Sequence, residues 1–136
     1  MDYYNLAENH QITARILIDN GQHMDSVYHS CLAVEMYLKS KHSVLFPDSE
    51  LSKSHDVIGI SRDVLKQYPS SYDLKHIFIS VRKYMNESRY PYNGLSVYTE
   101  DFAEDFFEYI KIIKAYIDNE CQATLEDLHK RFSSKS

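Results

Sequence analysis

Apolar positions recur along most of this chain at intervals of three and four, the spacing that lines one face of a helix. Leu6, Thr13, Ile16 and Leu17, with Tyr3 ahead of them, mark a first helix over about 2–19, and Asn20-Gly21 supplies its stop. Val27, Cys31, Val34 and Leu38 fall on one line of a second helix, from about Gln22 to Lys41. The stretch 43–54, with Pro47 and several serines, reads as a loop. A shorter third helix is expected from about His55 to Gln67, ending before Pro69. Ser70 and Ser71 are candidate caps for a fourth helix over about 72–85, with Leu74, Phe78, Val81 and Met85 in register. Pro91 and Asn93-Gly94 break the stretch 86–98 into a loop. Thr99, followed by Glu100 and Asp101, then opens a long helix over about 100–118, since acidic residues favour the positive end of a helix dipole. A weaker amphipathic segment, 121–132, either extends that helix or folds back as a short last one, and the tail beyond it is expected to fray.

No segment alternates with period two for long enough to make a strand. The pattern predicts an all-α protein: an antiparallel up-down bundle of four main helices plus one or two short ones. At 136 residues the chain is expected to be a single domain over 1–136, large enough to bury a core without staples. Three glycines and three prolines leave room for long uninterrupted elements.

The net charge of −5, without any run of Lys or Arg, argues against duplex DNA, whose non-specific binding depends on neutralising phosphates. A local pocket for one nucleotide or a short RNA needs only its own cations. Cys31 and Cys121 lack CxxC spacing, so buried thiols are expected rather than a disulfide framework or a zinc site. The histidines at 10, 23, 29, 42, 76 and 129 form no i,i+4 pair, and neither a metal nor a cofactor is expected. The first residues lack the basic and apolar regions of a signal peptide, and no apolar stretch approaches about twenty residues. The cytoplasm is the expected compartment.

Against this background a few polar residues stand out. At about 100° per residue, with Val27 at zero, Cys31 falls at about 40°, Leu38 at about 20° and Glu35 at about 80°. Glu35 therefore faces the core, where a carboxylate is costly unless it is paired. Lys39 lies one turn further on the same side. Two readings stay open: a buried ion pair with Lys39 or an arginine, or a carboxylate serving a ligand. In the loop, Arg89-Tyr90-Pro91 places a guanidinium and an aromatic ring on a stiff turn, within reach of either Glu35 or a phosphate. His55, at the start of the third helix, is either a ligand contact or a solvent-facing residue.

The order Val34-Glu35-Met36-Tyr37-Leu38-Lys39, then Ser54-His55-Asp56-Val57, then Ser88-Arg89-Tyr90-Pro91 before a long last helix resembles the HEPN domain. Members carry a glutamate and a lysine one turn apart on the second helix, and often a histidine opening the next. One branch has an arginine-tyrosine-proline loop. The match runs over roughly residues 6–118. The resemblance implies a helical bundle, commonly a homodimer, linked to nucleotides and RNA, and many members are toxin ribonucleases paired with a small nucleotidyltransferase antitoxin. Their activity rests on an arginine followed by a histidine after four to six residues. Here Arg62, Arg82, Arg89 and Arg131 have no histidine at that distance, and seven residues separate Arg15 from His23.

The leading expectation is thus a non-catalytic module binding a nucleotide or nucleotide-bearing partner, with Glu35, Lys39, His55, Arg89 and Tyr90 lining or supporting the site. A separately encoded nucleotidyltransferase is an expected partner. A variant ribonuclease, joining Arg89 and His55 across a dimer, and a dimeric interaction scaffold are the alternatives.

Overall fold

The computed structural model describes residues 2–89 and 98–122, with the side chains of 88 and 89 left aside. Among the described residues, five helices form an antiparallel bundle: α1 (Tyr3–Asp19), α2 (His23–Leu45), α3 (Val57–Gln67), α4 (Lys75–Arg89) and α5 (Glu100–Ala115). A 3-10 turn, Glu50–Lys53, lies between α2 and α3, and α5 continues as a π-helical turn, Tyr116–Glu120. No strand occurs among the described residues.

The ends of α1 and α5 follow local chemistry. Gly21, with φ of 75°, lets Gln22 N–H reach Leu17 O at 2.8 Å and Gly21 N–H reach Ile18 O at 3.0 Å, closing α1 in a Schellman turn. Thr99 Oγ1 accepts the Phe102 N–H at 3.1 Å and caps α5. Several boundaries differ from the sequence expectation. Helix α2 runs to Leu45 because its breaker is Pro47, which restrains only the residue before it, and Phe46 turns off at φ −132°, ψ 67°. By the same rule nothing before Tyr90 opposes helix, so α4 continues through 86–89 and Arg89 ends a helix instead of sitting in the loop. Ser70 and Ser71 do not cap α4. Their hydroxyls bind the Glu120 carboxylate at 3.2 Å, and Asp73 Oδ1 takes the first free N–H, that of Lys75, at 3.0 Å. The rest of the expected loop, from Tyr90 to residue 97, and the expected last segment from residue 123 lie outside the described residues.

Helix α2 is central, packing against α1, α3, α4 and α5. Its buried line, Val27, Cys31, Val34 and Leu38, meets Ile60 and Val64 of α3, Phe78 and Val81 of α4, and Phe106, Ile110 and Ile113 of α5 in one cluster. Polar ties hold the bundle's outer helix in place. Tyr4 Oη donates to Asp118 at 2.9 Å, Tyr37 Oη donates to Gln11 Oε1 at 2.8 Å, and Arg15 grips Glu104 through two nitrogens at 2.6 and 3.1 Å. No described helix is long and apolar enough to cross a membrane.

Candidate site around Glu35

The position of Glu35 on the wheel dictates its surroundings. Its side chain is fully buried. Two cations or donors meet it. Lys39, one turn on, brings Nζ to 3.6 Å from Oε2, and His55 Nδ1 lies 3.1 Å from Oε1 and 3.3 Å from Oε2. A carboxylate only accepts, so a hydrogen sits on Nδ1, and Nε2 takes no part in the contact with Glu35. The two partners differ in exposure. Lys39 is 4% exposed, its ammonium also lying 5.7 Å from the centroid of the Tyr3 ring, whereas the His55 side chain is 65% exposed. Lys39 therefore balances the carboxylate from inside, and His55 carries the constellation to the surface. Cys31, a turn before Glu35, is also buried, and burial first, then the nearby Glu35 charge, push its thiol well above the usual range. It is no thiolate nucleophile.

His55 stands two residues ahead of α3 rather than opening it, because Asp56 takes the capping role and accepts the Gly59 N–H at 3.0 Å. A second buried group holds the connection that presents it. His42, seven residues after Glu35, is fully buried, with Nε2 2.9 Å from Asp63 Oδ2 on α3 and Nδ1 hydrogen-bonded to Ser52 Oγ in the 3-10 turn. Ser54 then closes back on Leu51, its Oγ donating to the carbonyl at 2.7 Å, and also accepts the Asp56 N–H at 3.2 Å. The path from α2 to His55 is thus anchored three residues before the imidazole. His42 has no metal-ligand spacing to mark it in the sequence, although the helical wheel puts it on the core face.

Glu35, Lys39 and His55 come together in the structure. Arg89 is the last residue of α4, and Tyr90 lies outside the described residues, so the geometry of the site rests on the first three. Tyr3, in the sequence only an apolar marker of α1, joins them through the Lys39 ammonium. Among the described residues no three His, Cys, Asp or Glu side chains converge as metal ligands. What the site offers is an oriented, solvent-facing imidazole over a charge-balanced buried floor.

Neither a curated protein nor a solved structure matches this chain. The model of one family, the HEPN domain, matches residues 1–120. That span covers α1 through α5 and every described residue of the site, and on it the chain belongs to the HEPN family.

Proposed function

We propose that this HEPN domain binds a nucleotide or the nucleotide-bearing part of an RNA at the surface around His55, without turning it over. The observation that carries the reading is the asymmetry of the Glu35 cluster: a wholly buried carboxylate spends its hydrogen bonds on holding one exposed imidazole in a single orientation. A ring held only for packing would not need to be 65% exposed. Nε2 accepts from a ribose hydroxyl or a base N–H, and once protonated the ring donates to phosphate. Lys39, buried and paired with Glu35, supports the ring from beneath by balancing the carboxylate. Arg89 and Tyr90 are assigned to phosphate and base as the matching motif residues, and that assignment rests on the family alone.

The arginines speak against turnover. None is followed by a histidine at the distance that the family's ribonucleases use. Arg15, the nearest to that pattern, has its guanidinium committed to Glu104 and Asp19. A separately encoded nucleotidyltransferase is the partner this reading proposes and a homodimer its assembly, both on family grounds. The test is a thermal-shift panel of nucleotides and short RNAs on the wild type, His55→Ala and Arg89→Ala. A ligand at about 100 times its dissociation constant adds about 2.7 kcal/mol, several degrees in midpoint for a domain this size. A shift with one ligand class that is lost in both variants supports the reading. Uniform silence across the panel removes it, and RNA cleavage that survives purification but disappears in His55→Ala would replace it with a catalytic one.

A further inference from the structure

A second surface, away from Glu35, combines two properties rarely left together on a free protein. Between α3 and α4 runs a groove of about 470 Å³ whose floor is Ile58, Leu65, Phe78 and Ile79. Ile58 and Leu65 are seven residues apart on α3, so the floor extends for about two turns, roughly 10 Å. Its rim carries Arg62, Lys66 and Lys75, all exposed, and no carboxylate lines it. None of the three has an ion-pair partner among the described residues. In a chain of net charge −5, three cations around one apolar groove with no ion-pair partner among the described residues are a marked departure.

The neighbouring acids are turned elsewhere. Asp63, the one carboxylate within α3, is drawn to His42, and Asp56 and Asp73 are occupied in capping α3 and α4. Glu87, on α4, accepts from Tyr98 Oη at 3.3 Å. No carboxylate thus lies on the groove's rim, and an anionic partner would complement its three cations.

We infer that this groove receives an amphipathic helix of a partner protein, one whose apolar ridge is flanked by Asp or Glu. Charge complementarity sets the sign of the partner. The shape selects a helix over a small ligand: Ile79 is 61% exposed, so the groove is an open shelf, whereas small-molecule sites enclose most of their ligand. A ridge of apolar residues at i, i+3, i+4 and i+7 matches a floor of this length, and acidic residues beside it meet the three cations.

The experiment uses the full chain and a fluorescent synthetic peptide of about 15 residues, helix-prone, with leucines at that spacing and glutamates flanking them. Two control peptides carry lysines for the glutamates or the same residues scrambled. Anisotropy titrations at low salt are run on the wild type, the R62E/K66E/K75E variant and Ile79→Ser. The substituted side chains are all exposed, and melting curves check that the variants fold. The wild type is expected to bind the acidic peptide at least tenfold more tightly than the basic or scrambled one. The triple variant should reverse the charge preference, and Ile79→Ser should weaken the acidic peptide severalfold. Binding that is equal for acidic and scrambled peptides, or unchanged in the triple variant, overturns the inference. So does a single-stranded oligonucleotide that displaces the acidic peptide and loses its own binding in the triple variant, because the groove would then belong to nucleic acid.

Discussion

Replacing Glu35 with glutamine tests whether the buried cluster is organised as its geometry implies. The substituted amide would keep the size and could still accept from His55, but the change removes the charge that balances Lys39. The Lys39 side chain is 5% exposed, with Nζ 3.6 Å from the carboxylate and the Tyr3 ring 5.7 Å away, so its ammonium would be left inside the protein without a counter-charge among the described residues. Breaking a buried pair by removing one partner costs about 3–5 kcal/mol. That is a large share of the roughly 5–15 kcal/mol holding a domain together. At this chain length it corresponds to a drop in midpoint on the order of 10–20 °C. His55 is the internal comparison: its side chain is 65% exposed, and His55→Ala is expected to cost about 1 kcal/mol or less, as at other solvent-screened pairs. A Glu35→Met, Lys39→Met double variant should recover most of the loss, since a well-packed apolar pair replaces a buried ion pair at little cost. Urea unfolding at pH 7, with slopes compared to confirm that the same surface is exposed, measures all four proteins. A loss below about 1 kcal/mol for Glu35→Gln, or a double variant no more stable than the single one, would refute the account of the pair.

Three further outcomes follow from polar groups elsewhere. His10 and His29 face each other across α1 and α2 with Nδ1 atoms 3.0 Å apart, and burial first holds both below the usual imidazole range, with the neighbouring ring adding to the effect at His10. The unfolded chain takes up protons near about pH 6.5 while the folded one resists; stability is therefore full above that pH and declines below it, and unfolding curves between pH 7.5 and 5.5 should show a shallower decline in His29→Gln. Ser30 Oγ is buried without a hydrogen-bond partner among the described residues, whereas Ser26 Oγ donates to the Ala14 carbonyl at 2.9 Å; Ser30→Ala should be neutral or stabilising, and Ser26→Ala should lose about 1 kcal/mol in the same urea assay. Tyr37→Phe removes the donor to Gln11 while leaving the ring in its edge contact with Tyr4, and a loss of about 0.5–1.5 kcal/mol is expected by thermal unfolding.

What can be read from the sequence, and what cannot, divides by the range of the interaction that decides each feature. Helix existence is decided by periodicity within one segment, so all five helices are legible, and so is the burial of Glu35, which needs only the wheel of α2. The same wheel puts His42 at about 60°, deeper on the apolar face than Glu35. But the helix expected from the sequence stops at about Lys41, one residue short of His42, so its burial is not read there, and neither is its role, because Ser52 and Asp63 reach it only after the chain has turned back on α2. Ends of elements fail for a related reason. A local rule offers Ser70 and Ser71 as caps of α4, but Glu120, 49 residues beyond Ser71, takes both serines, and Asp73 caps the helix instead. The α3–α4 groove is an extreme case: Arg62 and Lys66 read as an ordinary solvated face of one helix and Lys75 as the start of another, and only the pairing of the two helices turns them into a continuous rim. His55 combines both kinds of information. Its motif is local and visible, but its orientation depends on a carboxylate 20 residues earlier, and on the His42 anchor that brings the connection back to that carboxylate. His42→Ala should therefore loosen the placement of His55 without touching it, read as a broadened or shifted His55 ring signal in the NMR spectrum of the folded variant, and an unmoved signal would show that the Glu35 contact alone positions the ring.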